Sequence, residues 1–316
     1  MTRSSGIHSI GEFVLVVPKL EQAEHFYSSF GLDLNNEANG FSIRTHGTDH
    51  RWGMVMEGTR KFQHHISFLC FEEDLPEFKQ RLSKRGISQV NPPRGFDTGG
   101  IWFHDHDGFL TQIRVGPKTS PYAMSPIEPT PLLPGVRNAP YRRLTPKVHI
   151  ERLSHVLRFT PDVDKTIDFY TNVLGMRLSD RSADVIAFFH GIHGSDHHMM
   201  AFLKADKPGF HHVSWIVPSV DTVGLGSMSM ADKGYSVGWG TGRHVLGSNY
   251  FYYVRDPWGA YSEYACGIDF IPAGMEWKPV DHLPEDGFYL WGPNLFPEFA
   301  QNFEESPVYA TEGKSA

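Results

Sequence analysis

The chain has 316 residues, 40% of them hydrophobic and 21% charged, enough for two domains of ordinary size, each with its own core. Its 29 Lys and Arg against 36 Asp and Glu leave a net charge of −7, and without a basic block there is no electrostatic footprint for nucleic acid or an anionic membrane. The two cysteines, Cys70 and Cys266, exclude a disulfide scaffold, a Cys-rich zinc site and an iron–sulfur cluster, and no apolar run approaches the ~18 residues of a membrane span, so a soluble, cytoplasmic protein is expected.

In chain order, Glu12–Val17 alternates, is rich in β-branched residues and predicts a strand that Pro18 stops. An amphipathic helix follows over Leu20–Tyr27 and closes at Phe30-Gly31-Leu32. Phe62–Phe68 predicts a further strand carrying the doublet His64-His65. A helix then ends at Lys84-Arg85-Gly86, and Trp102–Gly108 leads into an alternating last strand that holds Gln112. From Pro117 to Pro146 the chain places eight of its 22 prolines and shows no hydrophobic periodicity, which predicts an extended, partly stiff linker. The expected division is therefore 1–118, a Pro-rich linker 119–144, and 145–316.

The second half repeats the first. His155–Phe159 is the strand, Pro161 the stop, Asp162 or Asp164 the cap of a helix over Lys165–Tyr170, and Leu174-Gly175-Met176 the close. Phe210-His211-His212-Val213-Ser214-Trp215 answers the first doublet strand, Asp232-Lys233-Gly234 the second helix end, and Val254–Gly259 the final turn. The shift grows from 143 residues (Glu12 to His155) to 151 (Gln112 to Glu263), the spread that small loop insertions produce. Such a repeat predicts an α+β duplication with antiparallel sheets and helices on one face. Beyond Gly267 an aromatic, Pro-rich tail is too apolar for a disordered segment and is expected to pack back onto the second half.

Histidine is abundant, with 18 residues, and neutral imidazole is the commonest metal ligand and acid/base group. At equivalent positions the second half offers His155, His212 and Glu263, and the first half Glu12, His65 and Gln112. Two imidazoles and a carboxylate form the facial triad that holds a divalent iron and leaves sites open; the first half, with one His and the carboxylate exchanged, is expected to hold no metal and to serve structure. Each residue has a plainer alternative. A strand histidine is usually a satisfied core or surface residue. Alternation sends only one member of the His211-His212 pair to the core. A solvated strand face would explain Glu263 equally well. What favours the ligand reading is that all three occur together in the half whose twin lacks them.

The stretch from Gly242-Arg243-His244 through Tyr250-Phe251-Tyr252-Tyr253 and Asp256-Pro257-Trp258-Gly259 to Glu263 resembles the signature of the type I extradiol ring-cleavage dioxygenases of the vicinal-oxygen-chelate superfamily. The resemblance covers essentially the whole chain, and Tyr252 departs from it as an aromatic where the signature has an apolar residue. It implies two duplicated domains, each of paired βαβββ modules, with an active site only in the second. It also implies Fe(II), with Mn(II) an alternative, bound by His155, His212 and Glu263, with O₂ as co-substrate and a small aromatic diol as substrate. His198 would be the acid/base histidine, with His197 its rival; His244 would hydrogen-bond the substrate oxygen; Tyr253 would contact the catechol hydroxyl; and Asp256 would fix its loop or support the site from behind. A homo-oligomer, dimer or tetramer, is implied as well. Two other readings stay open: a glyoxalase-like metal-dependent lyase or epimerase, and a non-catalytic protein that binds an aromatic ligand.

Overall fold

The computed structural model describes residues 5–128 and 132–304; residues 1–4, 129–131 and 305–316, which the expected domain and linker boundaries span, lie outside the described residues. The first half runs β1 (Ser9–Val17), α1 (Leu20–Phe30), β2 (Asp33–Glu37), β3 (Gly40–Arg44), β4 (Gly53–Glu57), β5 (Phe62–Cys70), α2 (Leu75–Lys84), β6 (Ile101–His104) and β7 (Leu110–Val115). Its strands form one sheet in the order β2-β3-β4-β1-β5-β7-β6. The second half runs β8 (Arg152–Thr160), α3 (Val163–Asn172), β9 (Arg177–Ser182), β10 (Ile186–His190), β11 (Ser195–Asp196), β12 (Met200–Lys204), β13 (Gly209–Ile216), α4 (Val220–Asp232), β14 (Gly238–His244), β15 (Tyr250–Arg255) and β16 (Tyr261–Cys266). In the tail, β17 (Phe270–Ile271) pairs with β11, α5 (Pro284–Gly287) follows, and β18 (Tyr289–Trp291) extends the main sheet beyond β14. That sheet, read from β9, has the order β9-β10-β12-β8-β13-β16-β15-β14-β18: the first sheet's order with two strands added. The second half is thus two complete βαβββ modules, whereas in the first half the second module keeps two of the three strands after its helix, with a Gln89–Phe103 bridge in place of the third.

The sheets are mixed, which corrects the antiparallel expectation. β1 runs parallel to β4, β5 to β7, β8 to β12 and β13 to β16. In each module the helix carries the chain across before a hairpin brings the last strand back beside the first. Side-chain alternation, which is the same in both kinds of ladder, carries no trace of direction.

Local chemistry explains the elements. Helix α1 turns Ala23, Phe26, Tyr27 and Phe30 inward at helical spacing. It stops at Gly31, whose φ of 103° is left-handed and whose N–H reaches the carbonyl of Ser28. Of the two possible caps of α3, Asp162 is the one that accepts from the Lys165 N–H, at 3.0 Å. The halves share one core: Phe30 stacks on Tyr264 at 3.8 Å, and the Tyr264 hydroxyl donates to the Phe30 carbonyl. The fully buried Arg158 of β8 donates to Gln63 and Asp105 of the first half. Among the described residues no helix is long and apolar enough to cross a membrane.

Two buried histidines, His8 and His190, contribute to the pH dependence of stability. Burial pushes His8 and His190 from 6.5 down to about 4. Between pH 6.5 and 4 the unfolded chain therefore binds more protons than the folded one, so stability is full above pH 6.5 and falls as pH drops through that window. Urea unfolding should show a lower midpoint at pH 5 than at pH 7, with each histidine accounting for about 2 kcal/mol. The His8→Gln, His190→Gln double variant should lose midpoint less steeply than the parent between pH 7 and pH 5, the other buried histidines supplying the slope that remains; identical slopes would refute the assignment.

Candidate metal centre and substrate pocket

Sheet register brings the three expected ligands together. His155 on β8 pairs with Ser214 on β13, and Ser214 pairs with Glu263 on β16, so all three lie in one row and face one side. Ser214 is small, which lets the longer flanking side chains converge over it, and His212 enters from two residues along the same strand. One ligand atom from each of His155, His212 and Glu263 lies within 4.8 Å of the others, and this group is able to hold a metal ion.

The doublet does not obey strand alternation, a second correction. His211 and His212 are both 2% exposed, with their Nδ1 atoms 2.6 Å apart. A bulge between Phe210 and His212 breaks the register with β8 and turns both rings the same way.

Hydrogen bonds on the far side of each ring decide which nitrogen faces inward. His211 donates from Nε2 to the Phe299 carbonyl, leaving its Nδ1 to accept the Nδ1–H of His212. In His155, Nδ1 lies 3.1 Å from Ser154 Oγ, which turns its own proton to Asp196. In the neutral rings both metal-facing Nε2 atoms therefore carry the lone pair. They lie 3.2 Å apart, and Glu263 Oε2 is 3.2 Å from His155 Nε2 and 3.6 Å from His212 Nε2. At these distances Oε2 still has no hydrogen-bond partner. Two lone pairs and a carboxylate facing one point call for a cation. Ligand atoms about 2.1 Å from one ion and at right angles to each other lie about 3.0 Å apart, so the donor set fits a divalent metal. Burial, then the neighbouring imidazoles His211, His155 and His244, hold His212 well below its ordinary value, in the neutral form that binds metal. Asn249, which the sequence reading did not single out, holds the other Glu263 oxygen from Nδ2 at 3.1 Å.

The triad opens on a pocket of about 510 Å³, open water at its mouth included. His198 and His244 line it, as do Tyr253, Phe188, Trp239 and Phe288, with Leu157, Ile186, Leu203 and Leu246 as aliphatic wall. Of the nearby aromatic residues, Phe189 and Trp215 belong to the main core, and Tyr250 and Trp291 pair with each other at 6.1 Å. His198 packs against His155 with ring centroids 4.2 Å apart; burial first, then the charge of its imidazole neighbours, holds it well below its ordinary value. His197 is not part of the pocket wall: its Nε2 lies 2.8 Å from Asp180, on the other side. His244 gives its Nδ1–H to the Phe288 carbonyl at 2.6 Å, and its Nε2 lies 3.0 Å from the Tyr253 hydroxyl. Burial and then the Glu263 charge raise the Tyr253 phenol well above its ordinary value. Asp256 does not join this group. Its Oδ1 accepts from the N–H groups of Trp258 and Ala260, so of the two roles expected for it the geometry displays the turn.

The first half shows the same row differently filled. Ser67 bonds Gln112, whose amide donates to the Gly99 carbonyl. Arg51, which the β1–β4 register sets where β8–β12 sets His198, forms a two-bond ion pair with Glu12 at 2.7 and 3.0 Å. A guanidinium stands against the carboxylate that aligns with His155.

Comparison with known proteins agrees with this architecture. The family model described as Glyoxalase/Bleomycin resistance protein/Dioxygenase superfamily matches twice, at residues 9–113 and 152–264. Metapyrocatechase 2 of Cupriavidus necator is 47% identical over 299 residues, 94% of this chain and 93% of that protein. Biphenyl-2,3-diol 1,2-dioxygenase of Metapseudomonas furukawaii is 30% identical over 202 residues, covering 62% of this chain and 61% of its own length. Among solved structures, an Mn(II)-bound glyoxalase from Novosphingobium aromaticivorans has the same fold, with a TM-score of 0.76 at 22% identity over 96% of this chain and 97% of that one. The duplicated modules, the convergent triad in the second half and the near full-length match lead to one conclusion: this chain belongs to the Glyoxalase/Bleomycin resistance protein/Dioxygenase superfamily and, within it, to the extradiol ring-cleavage dioxygenases.

Proposed function

We propose that the chain is an Fe(II)-dependent dioxygenase that opens the ring of catechol, or of a catechol with apolar substituents, beside the hydroxyl pair to give a hydroxymuconic-semialdehyde type of product. The observation that carries this reading is the convergence of His155 Nε2, His212 Nε2 and Glu263 at the floor of an apolar pocket. Two imidazoles and a carboxylate on one face are the donor set of non-haem ferrous oxygenases, which favours iron over manganese. Bound there, ferrous iron would supply a Lewis-acidic, redox-active centre at which the diol and O₂ meet.

The chain's own residues do the rest. His198, neutral in its buried setting, takes a proton from a diol hydroxyl and returns it later in the cycle. His244, its Nδ1 pinned on the Phe288 carbonyl, directs Nε2 at a substrate oxygen. Tyr253 bonds His244 in the absence of the diol and turns its hydroxyl to the diol in its presence. The aliphatic and aromatic wall keeps water away from the reacting ring and strengthens these polar contacts.

Among the described residues no Lys or Arg lines the pocket, so a carboxylate on the substrate would be buried without a partner. Iron-reconstituted protein should consume O₂ and form a yellow product with catechol and 4-methylcatechol. With 3,4-dihydroxybenzoate kcat/KM should be lower by about 100-fold, the effect of an unpaired buried charge. Absence of oxygen uptake with any catechol would reject the dioxygenase reading, and equal turnover of the acid would reject the apolar-substituent reading.

A further inference from the structure

Behind His198, outside the pocket, lies a chain of polar groups that the chemistry above does not use. His198 Nδ1 is 3.0 Å from His197 Nδ1, and His197 Nε2 is 2.8 Å from Asp180 Oδ2. The other Asp180 oxygen accepts from the Val280 backbone N–H at 2.8 Å and lies 3.2 Å from His282 Nε2. His197 is 1% exposed and Asp180 5%. Trp277 closes over the His197 ring and donates to the Ser179 carbonyl, so the first part of the tail forms the lid of the cluster.

With His197 as a neutral imidazole, proton counting along this chain has one solution. A backbone N–H cannot give up its role as donor, so the Asp180 oxygen facing Val280 must accept, and the ionised carboxylate offers only acceptors to His197 as well. Burial would raise the Asp180 carboxyl, yet the bonds from His197 and Val280 hold it below its ordinary value. His197 therefore carries its proton on Nε2, and its Nδ1 is a bare acceptor. His198 must then donate from Nδ1, which leaves Nε2, the nitrogen on the opposite edge of the ring, with its lone pair.

We propose that Asp180 and His197 are positioning residues that lock His198 in the Nδ1–H tautomer, with a basic Nε2 presented to the diol. The proposal rests on the reading of His198 as the group that accepts the diol proton. The duplicate supports it: where Arg51 stands in the place of His198, the histidine before it, His50, bonds the Gly11 carbonyl and no carboxylate. An imidazole pair tuned by a carboxylate is kept in the half that has a base to tune.

Asp180→Asn is the informative variant, because it keeps the shape and removes one acceptor. The Val280 N–H will claim the amide oxygen, the amide NH₂ will face His197, and the tautomers of His197 and then His198 will invert. A carboxylate-to-amide change behind a catalytic imidazole can cost about 10⁴-fold through the wrong tautomer alone. The iron-loaded full chain should keep its iron content and its anaerobic affinity for catechol within about two-fold while kcat falls by about 100-fold or more; Asp180→Glu, which keeps both acceptors, should recover part of that loss. A kcat within about three-fold of wild type in Asp180→Asn, or a loss confined to iron content, overturns the proposal. Nitrogen chemical shifts of His198 in the ¹⁵N-histidine-labelled, zinc-loaded full chain decide the matter without turnover. Nδ1–H in the wild type and Nε2–H in Asp180→Asn support it, and Nε2–H in the wild type refutes it even if the enzyme turns over catechol. Failure of the wild type to consume O₂ would count against the dioxygenase reading alone and leave this spectroscopic result standing.

Discussion

Replacing Glu263 by Ala should leave a folded protein that neither retains iron nor consumes O₂ with catechol. The carboxylate is fully buried and supplies the one negative charge of the triad. Without it His155 and His212 present two neutral nitrogens to a dication, and the second coordination sphere alone is usually worth about 10–100-fold in affinity, so loss of a charged ligand should exceed that. The equivalent row of the first half cannot take over: Glu12 is engaged by Arg51 and the Gln112 amide is committed to Ser67 and Gly99. Metal analysis after gel filtration should give about one iron per wild-type chain and essentially none in the variant. Glu263→Gln, which keeps the volume and a partner for Asn249, guards against a folding artefact and should lose iron as well. Full activity in either variant would show that the ligands are other residues.

His198→Phe should separate chemistry from binding. The ring packs between His155 and Phe188, where a phenyl group of similar shape can sit, and the three metal-facing atoms belong to other residues. Iron content and anaerobic catechol affinity should stay near wild type, while kcat drops by about 10²–10⁴-fold, the usual worth of a positioned acid/base group. Stopped-flow mixing of the anaerobic catechol complex with O₂ measures the loss directly. A variant with wild-type kcat would transfer the proton role to His244 or to solvent.

Much of this arrangement is written locally. Strands and helices follow from alternation, from Pro18 and Pro161 as stops and from Gly31 and Asp162 as caps, all of which act within a few residues of where they stand. The duplication is legible because the two halves keep the same order of signals, and comparison of equivalent positions singles out His155, His212 and Glu263 without any knowledge of distance. Strand direction is not legible, since parallel and antiparallel ladders alternate alike. Nor is the bulge before His212, which overrides alternation and places both members of the doublet on the inner side.

By itself, then, the order of residues determined an α+β duplication and the identity of the three convergent donors, because those depend on side-chain type and short-range pattern. Tertiary structure alone decided the protonation geometry. Backbone carbonyls of Phe299 and Phe288, 88 and 44 residues away from the rings they hold, orient His211 and His244, and Val280, 100 residues from Asp180, sets the direction of the proton chain behind His198. A carbonyl or an N–H is present at nearly every position and leaves no mark in a sequence; only folding selects which one meets a given imidazole.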